Sequence, residues 1–61
     1  MALTARQRQI ATLVGQAKSN KQIAYELGLT EGTVKEYVSQ IFRKLKVRNR
    51  TELAVVAHRA P

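Results

Sequence analysis

Four helix-start signals divide this 61-residue chain into short segments, and they restrict its fold more than any other feature of the sequence. Each is a Ser, Thr or Asn whose side-chain oxygen can accept from the first turn of a helix, and three are followed three residues later by a Gln or Glu. They are Thr4 with Gln7, Ser19 with Gln22, Thr30, and Asn49 with Glu52. The sequence therefore predicts an all-α fold with helices over about residues 4–17, 20–27, 31–46 and 50–60.

Apolar residues recur at helical spacing behind these caps, which predicts one inward side for each helix. The strongest stripe is in the third segment, and it consists of Val34, Val38, Ile41 and Leu45. The other stripes are Ile10, Leu13, Val14 and Ala17; Ile23, Ala24 and Leu27; and Leu53, Val56, Ala57 and Ala60. A chain of this length can bury one modest core, so residues 1–61 are expected to form a single domain.

The charge of the chain points to nucleic acid as its partner. Eleven Lys and Arg against four Glu give a formal net charge of +7, and five of the cations lie within residues 43–50. A localised basic segment favours nucleic-acid binding over a surface that is charged for solubility alone. No apolar run is long enough for a membrane span, and we expect a cytoplasmic protein with no membrane partner.

The residue inventory argues against an enzyme and against a metal or cofactor site. The chain has no Cys, and its acidic residues are four isolated glutamates. Its one histidine, His58, has no evident catalytic partner in the sequence. We therefore expect no catalytic residues, no metal ligands and no cofactor.

The second and third helices carry helix-turn-helix spacing. Counting from Asn20, the fifth, ninth and fifteenth positions are Ala24, Gly28 and Val34. A small Ala allows two helices to cross closely, Gly permits the turn, and Val packs the second helix on the first. An ordinary pair of antiparallel helices can show the same spacing. The polar, cationic outer side of the third helix favours DNA binding, because the major groove admits one helix.

Several ordered motifs resemble the DNA-binding domain of the LuxR-type (NarL/FixJ-like) bacterial transcription regulators. They are Leu3-Thr4-x-Arg6, Ser19-Asn20-Lys21-Gln22-Ile23-Ala24, Thr30-Glu31-Gly32-Thr33-Val34-Lys35, and Arg43-Lys44-Leu45-x-Val47-x-Asn49-Arg50-Thr51-Glu52. The resemblance implies a bundle-like four-helix helix-turn-helix domain of the winged-helix-like superfamily without a wing, whose third helix enters the major groove. Three positions depart from the family pattern: Gln7 for the usual Glu, Ala17 for the usual Gly, and Tyr37 for a common His.

The helix geometry and the resemblance together assign two sets of DNA-binding residues. The residues expected to read bases are Lys35, Glu36, Ser39, Gln40 and Arg43. The residues expected to contact phosphates are Asn20, Lys21, Thr30, Thr33, Tyr37, Lys44, Lys46, Arg48 and Arg50. Glu36 could accept from a cytosine amino group or serve only the charge balance of its own helix. Tyr37 could pack in the core, donate to a phosphate, or do both.

The resemblance further implies that the fourth helix pairs two subunits on DNA. The residues left for that contact are Thr51, Val55, His58 and Arg59. Val55 would be its apolar centre, although a single exposed valine is also normal on a protein surface. RNA polymerase is a further partner to test. The chain could be the output domain of a response regulator or a small free-standing regulator.

Two other classes of function remain as alternatives. A protein-interaction module would show an apolar patch on the third helix, and fold alone does not fix function. A cationic membrane-surface peptide would lack the capped helices and shared core of a globular domain.

Overall fold

The computed structural model describes residues 3–59, and four helices make up its regular structure. They are α1 (Ala5–Gly15), α2 (Asn20–Leu27), α3 (Glu31–Leu45) and α4 (Arg50–Arg59). No strand occurs in residues 3–59, so the all-α prediction is confirmed. The predicted core role of Ala60, and the predicted end of the fourth helix at that residue, lie outside the described residues.

The helices begin where their caps predict. The Thr4 hydroxyl accepts from the Gln7 backbone N–H at 3.1 Å, and the Gln7 side-chain oxygen accepts from the Thr4 N–H at 3.0 Å. Ser19 and Gln22 form the same reciprocal pair at 3.1 and 2.8 Å. Thr30 accepts from the Thr33 N–H at 3.1 Å. These bonds satisfy backbone donors that lack a partner in the first turn.

The cap of α4 departs from the reciprocal pattern that the sequence suggests. Asn49 Oδ1 accepts from the Glu52 N–H at 2.9 Å, as a cap should. The Glu52 carboxylate, however, accepts from the backbone N–H of Arg48 at 2.8 Å, one residue before the cap. Asn49 and Glu52 both stabilise the start of α4, but they do so through different backbone donors.

A residue in the left-handed conformation follows three of the helices within two positions, and glycine occupies only one of these positions among the described residues. The backbone φ is +65° at Ala17, +69° at Gly28 and +56° at Lys46. Lys18 N–H donates to Leu13 O at 3.2 Å and closes the end of α1. The helix predicted to reach about Ala17 therefore ends at Gly15, because Ala17 turns the chain instead of continuing the helix.

The core lies where α1 packs against α3 and α4 while α2 packs against α3. Its buried residues are Ile10, Ala11, Val14, Ile23, Ala24, Val34, Val38, Ile41 and Leu53. Leu53 is the one buried residue of α4 within the described range. Val56, predicted to face the core, is 36% exposed, and Ala54 packs against the core cluster instead.

Gly15 allows α1 and α4 to approach closely. A Cβ atom at Gly15 would lie 3.1 Å from the Cβ of Ala57, which is tighter than ordinary van der Waals contact. The sequence indicates Gly15 only as a residue that weakens α1. Its role in the helix crossing depends on a contact with a residue far along the chain.

Candidate nucleic-acid interface

One side of α3 is polar and open to solvent. Val34, Val38 and Ile41 fix the opposite side of the helix in the core. The exposed residues include all five that the sequence assigns to base reading: Lys35, Glu36, Ser39, Gln40 and Arg43. A 15-residue helix is about 22 Å long, so this surface extends over several base pairs of a major groove.

Two threonines that were predicted to contact phosphates lie together at the start of α3. The Thr30 hydroxyl donates to Thr33 Oγ1 at 2.9 Å and also accepts from the Thr33 backbone. Both residues are exposed. Because Thr33 Oγ1 accepts this hydrogen bond, its own hydroxyl hydrogen remains available to donate to another group. The positive end of the α3 dipole adds to the attraction that an anion would feel there.

Arg50 and Asn20, both predicted to contact phosphates, are bonded to each other. The Arg50 guanidinium donates to Asn20 Oδ1 at 2.7 Å and to the backbone oxygen of Lys18 at 2.5 Å. Both side chains belong to half-buried residues. Arg50 therefore ties the start of α4 to the start of α2. Since Arg50 can only donate, Asn20 must turn its oxygen toward it and its amide nitrogen away.

Lys44 and Gln40 both contact Gln7 of α1. The Lys44 ammonium donates to Gln7 Oε1 at 3.0 Å, and Gln7 Nε2 donates to Gln40 Oε1 at 3.3 Å. Gln7 is 5% exposed and is the buried polar residue of the described chain. The sequence indicated Gln7 only as a helix cap. Gln40 lies 33 positions and Lys44 lies 37 positions along the chain from Gln7. No local sequence pattern could have predicted contacts over such separations.

The other residues predicted to contact phosphates differ in their exposure and in the side-chain contacts that they already make. Lys21 and Lys46 are exposed. Arg48 is also exposed, and its guanidinium lies 3.5 Å from the Glu52 carboxylate in an ion pair between residues four apart. Such exposed pairs contribute little to stability, so Arg48 can leave Glu52 for a phosphate at small cost. Tyr37 is half-buried, and it packs against the core.

The predicted dimer residues form an exposed strip on α4. All four residues, Thr51, Val55, His58 and Arg59, are exposed, and Val55 is 46% exposed. Val56, the next residue, is 36% exposed and lies about 100° around the helix from Val55, so it flanks this strip.

Large apolar residues that are exposed in the described range lie outside α3. They are Tyr25, Val55 and Val56. Tyr25 on α2 is 89% exposed and was not singled out by sequence reasoning. The apolar patch on α3 that a protein-interaction module would need is therefore not found in residues 31–45.

Two features bear on the other function classes. No group of three or more His, Cys, Asp or Glu that could hold a metal ion occurs within residues 3–59. None of the helices in that same range is both long and apolar enough to cross a membrane.

Comparison with known proteins adds an independent line of evidence. Residues 1–57 match the family model described as bacterial regulatory proteins, luxR family. The two-component response regulator PprB of Pseudomonas aeruginosa is 55% identical over 53 residues, which cover 87% of this chain and 19% of that protein. The nitrate/nitrite response regulator protein NarL of Escherichia coli is 45% identical over 56 residues, covering 92% of this chain and 26% of NarL.

A third relative comes from Bacillus subtilis. The transcriptional regulatory protein LiaR of Bacillus subtilis is 45% identical over 58 residues, covering 95% of this chain and 28% of LiaR. The chain thus spans between about a fifth and a little over a quarter of the length of these curated relatives.

Proposed function

We propose that this chain, which belongs to the luxR family of bacterial regulatory proteins, reads a specific DNA sequence with α3 inserted in the major groove. Binding of double-stranded DNA and regulation of transcription follow from the family itself. The proposal concerns the helix that enters the groove and the side chains that choose the sequence.

The observation that carries the proposal is the exposed polar side of α3. Its donors are Lys35, Gln40 and Arg43, and Ser39 is small enough to donate or accept. These groups suit the acceptor-rich edges of guanine and the mixed edges of adenine in the major groove. Glu36 supplies an acceptor on the same side, which suits the amino group of cytosine and would repel a phosphate.

Phosphate contacts are proposed to hold α3 in register. The candidates are Asn20, Lys21, Thr30, Thr33, Tyr37, Lys44, Lys46, Arg48 and Arg50. Lys21, Lys46 and Arg48 supply exposed charge for this purpose. Contacts of this kind fix orientation and carry no sequence information directly.

The place of this domain in a larger regulator is a further part of the proposal. PprB and NarL are response regulators that are several times longer than the matched segment. We assign this chain the role of the output domain of such a regulator, with a small free-standing regulator as the second candidate. It would act in the bacterial cytoplasm at the nucleoid, since its ligand is chromosomal DNA, and no catalytic role is assigned to it.

Two protein partners complete the proposal. A second copy would pair through Thr51, Val55, His58 and Arg59 of α4 when both copies lie on DNA, and RNA polymerase would be contacted at the promoter. Exposed Val55 and Val56 support the first contact, because adjacent apolar residues on one helix offer area for burial.

Fluorescence anisotropy tests the proposed function. The protein would be titrated against a labelled random duplex pool and against a site selected from that pool, at several salt concentrations. We expect the selected site to bind at least about 10³-fold more tightly, with affinity for both DNAs falling steeply as salt rises. Equal affinity for the two DNAs would contradict sequence reading, and no binding at low salt would contradict DNA binding.

A further inference from the structure

The buried side chain of Gln7 connects the start of α1 with two residues of α3. Its oxygen accepts from the Thr4 backbone N–H and from the Lys44 ammonium, both at 3.0 Å. Its nitrogen donates to Gln40 Oε1 at 3.3 Å. Gln40 itself is exposed and belongs to the residues proposed to read bases.

These contacts determine which way each amide points. A backbone N–H and an ammonium can only donate, so the Gln7 atom between them must be the oxygen. The other end of the Gln7 amide is therefore its nitrogen, which can only donate. The Gln40 atom that meets it must accept, and so Gln40 turns its oxygen toward α1 and its amide nitrogen away from it.

The fixed orientation changes what Gln40 can recognise. A free glutamine pairs with adenine through both atoms, because its nitrogen donates to N7 while its oxygen accepts from the N6 amino group. With its oxygen turned toward Gln7 on α1, Gln40 presents its amide N–H donors to an incoming base. Guanine, with acceptors at O6 and N7, and thymine, with an acceptor at O4, suit such a group. Cytosine presents only a donor, and the single acceptor of adenine, N7, lies beside the donor N6, so both suit it less well.

We propose that Gln7 is a positioning residue that makes Gln40 a donor and thereby directs it to a guanine or a thymine on the strand it faces. This inference rests on the proposed function, since it requires α3 in the major groove. It also gives a physical meaning to the departure from the family pattern at position 7. A glutamate there would accept at both ends, and Gln40 would have to turn its amide nitrogen inward and its oxygen toward the DNA.

Selection of binding sites from a random duplex pool tests the proposal. The proteins compared are the original chain and the variants Gln40→Ala, Gln40→Glu, Gln7→Glu and Gln9→Glu. Gln40→Glu replaces the outward donor with an acceptor and leaves residue 7 as glutamine. Gln9→Glu adds the same charge to α1 at an exposed position and is the matched control for Gln7→Glu.

The expected result concerns one base position of the selected site. The original chain should favour guanine or thymine there by about 3- to 10-fold in affinity, the range of one neutral hydrogen bond. Gln40→Ala should remove that preference, and both Gln40→Glu and Gln7→Glu should move it to adenine or cytosine. Gln9→Glu should leave it unchanged.

Other outcomes overturn the inference in distinguishable ways. A preference that persists in Gln7→Glu would show that Gln7 does not set the orientation of Gln40. An equal loss of affinity at every site in Gln40→Ala would show a phosphate ligand instead of a base reader. If circular dichroism shows that Gln7→Glu does not fold, Gln40→Glu still tests whether the outward donor determines which base is preferred. Failure of the original chain to select any site would overturn the proposed function itself.

Discussion

Ala17 holds a backbone conformation that suits glycine better than alanine. Its φ of +65° lies in the left-handed region, where a Cβ atom crowds the following carbonyl. The family pattern has glycine at this position, and the conformation of Ala17 gives the reason. The residue is exposed and follows the end of α1, so a substitution there does not disturb the core.

Replacing Ala17 with glycine should therefore stabilise the domain. We expect Ala17→Gly to raise the free energy of unfolding by about 0.5–1 kcal/mol, because relief of the left-handed strain outweighs the added freedom of the unfolded chain. Urea denaturation measures this change. Gln16→Gly is the matched control, since Gln16 has a φ of −86° and should lose stability on the same replacement. A loss of stability in both variants would contradict the explanation.

The shape of the Arg50 guanidinium contributes to stability separately from its charge. Its guanidinium bonds Asn20 and the backbone of Lys18 at once, a geometry that an ammonium cannot reproduce. Arg50→Lys keeps the charge and should lower the free energy of unfolding by about 1–2 kcal/mol. Arg43→Lys, at an exposed position of α3, should change it by less than about 0.5 kcal/mol. Thermal melts of the two variants provide the comparison, and equal stability would show that the paired hydrogen bonds of the Arg50 guanidinium contribute nothing.

At the scale of the helix, the two proposed classes of DNA contact should separate. Lys35→Ala should cost about 1–3 kcal/mol at the selected site and relax the choice of base at one position. Lys21→Ala, at the start of α2, should weaken selected and random DNA alike and reduce the magnitude of the salt slope by about 1. Anisotropy titrations at several salt concentrations distinguish these effects. Identical behaviour of the two variants would contradict the assignment of roles.

The starts of the helices could be predicted from sequence, whereas their ends could be predicted only in part. Thr4, Ser19 and Thr30 cap through backbone groups three residues away, so the signal is local and readable. Gly28 marks the end of α2 in the same way. Ala17 and Lys46 take left-handed conformations although neither is glycine, so their residue types do not predict that conformation.

The packing of α4 was also only partly predictable. Helical spacing correctly indicates Leu53 as buried, and it wrongly places Val56 in the core. A prediction from helical spacing assumes that the whole apolar side of a helix packs against other helices. In this small domain, Ala54 packs against the core cluster, while the side chain of Val56 keeps more than a third of its surface in contact with solvent.

The candidate site shows the same division between local and distant information. The exposed positions of α3 follow from the strong apolar stripe on its opposite side, so the exposure of Lys35, Glu36 and Ser39 could be predicted from sequence. The contact of Gln7 with Gln40 and the contact of Arg50 with Asn20 join residues at least 30 positions apart. They depend on how the helices pack, which residue spacing does not encode.

At the scale of the whole molecule, we expect DNA binding and pairing of subunits to use different helices. We expect a monomer in the absence of DNA and cooperative binding of two copies to a duplex with two half-sites. Val55→Asp should reduce that cooperativity by about tenfold, because it buries a charge in the apolar part of the α4 strip. Its affinity for a duplex with one half-site should be unchanged.

Sedimentation and anisotropy together measure this prediction. Thr12→Asp, at an exposed position of α1, is the matched control and should leave both affinities unchanged. A tight dimer of the original chain at micromolar concentration without DNA would contradict the expected monomer. Cooperativity that survives Val55→Asp would remove α4 as the pairing surface.

Insertion of α3 in the major groove is best tested by titrating the isotope-labelled protein with its selected duplex. Two-dimensional NMR follows the backbone amide of each residue as the duplex is added. We expect the largest shifts over residues 30–43, with smaller shifts at the start of α2 and little change along the exposed side of α1. Largest shifts around Tyr25 on α2, with α3 unaffected, would contradict it.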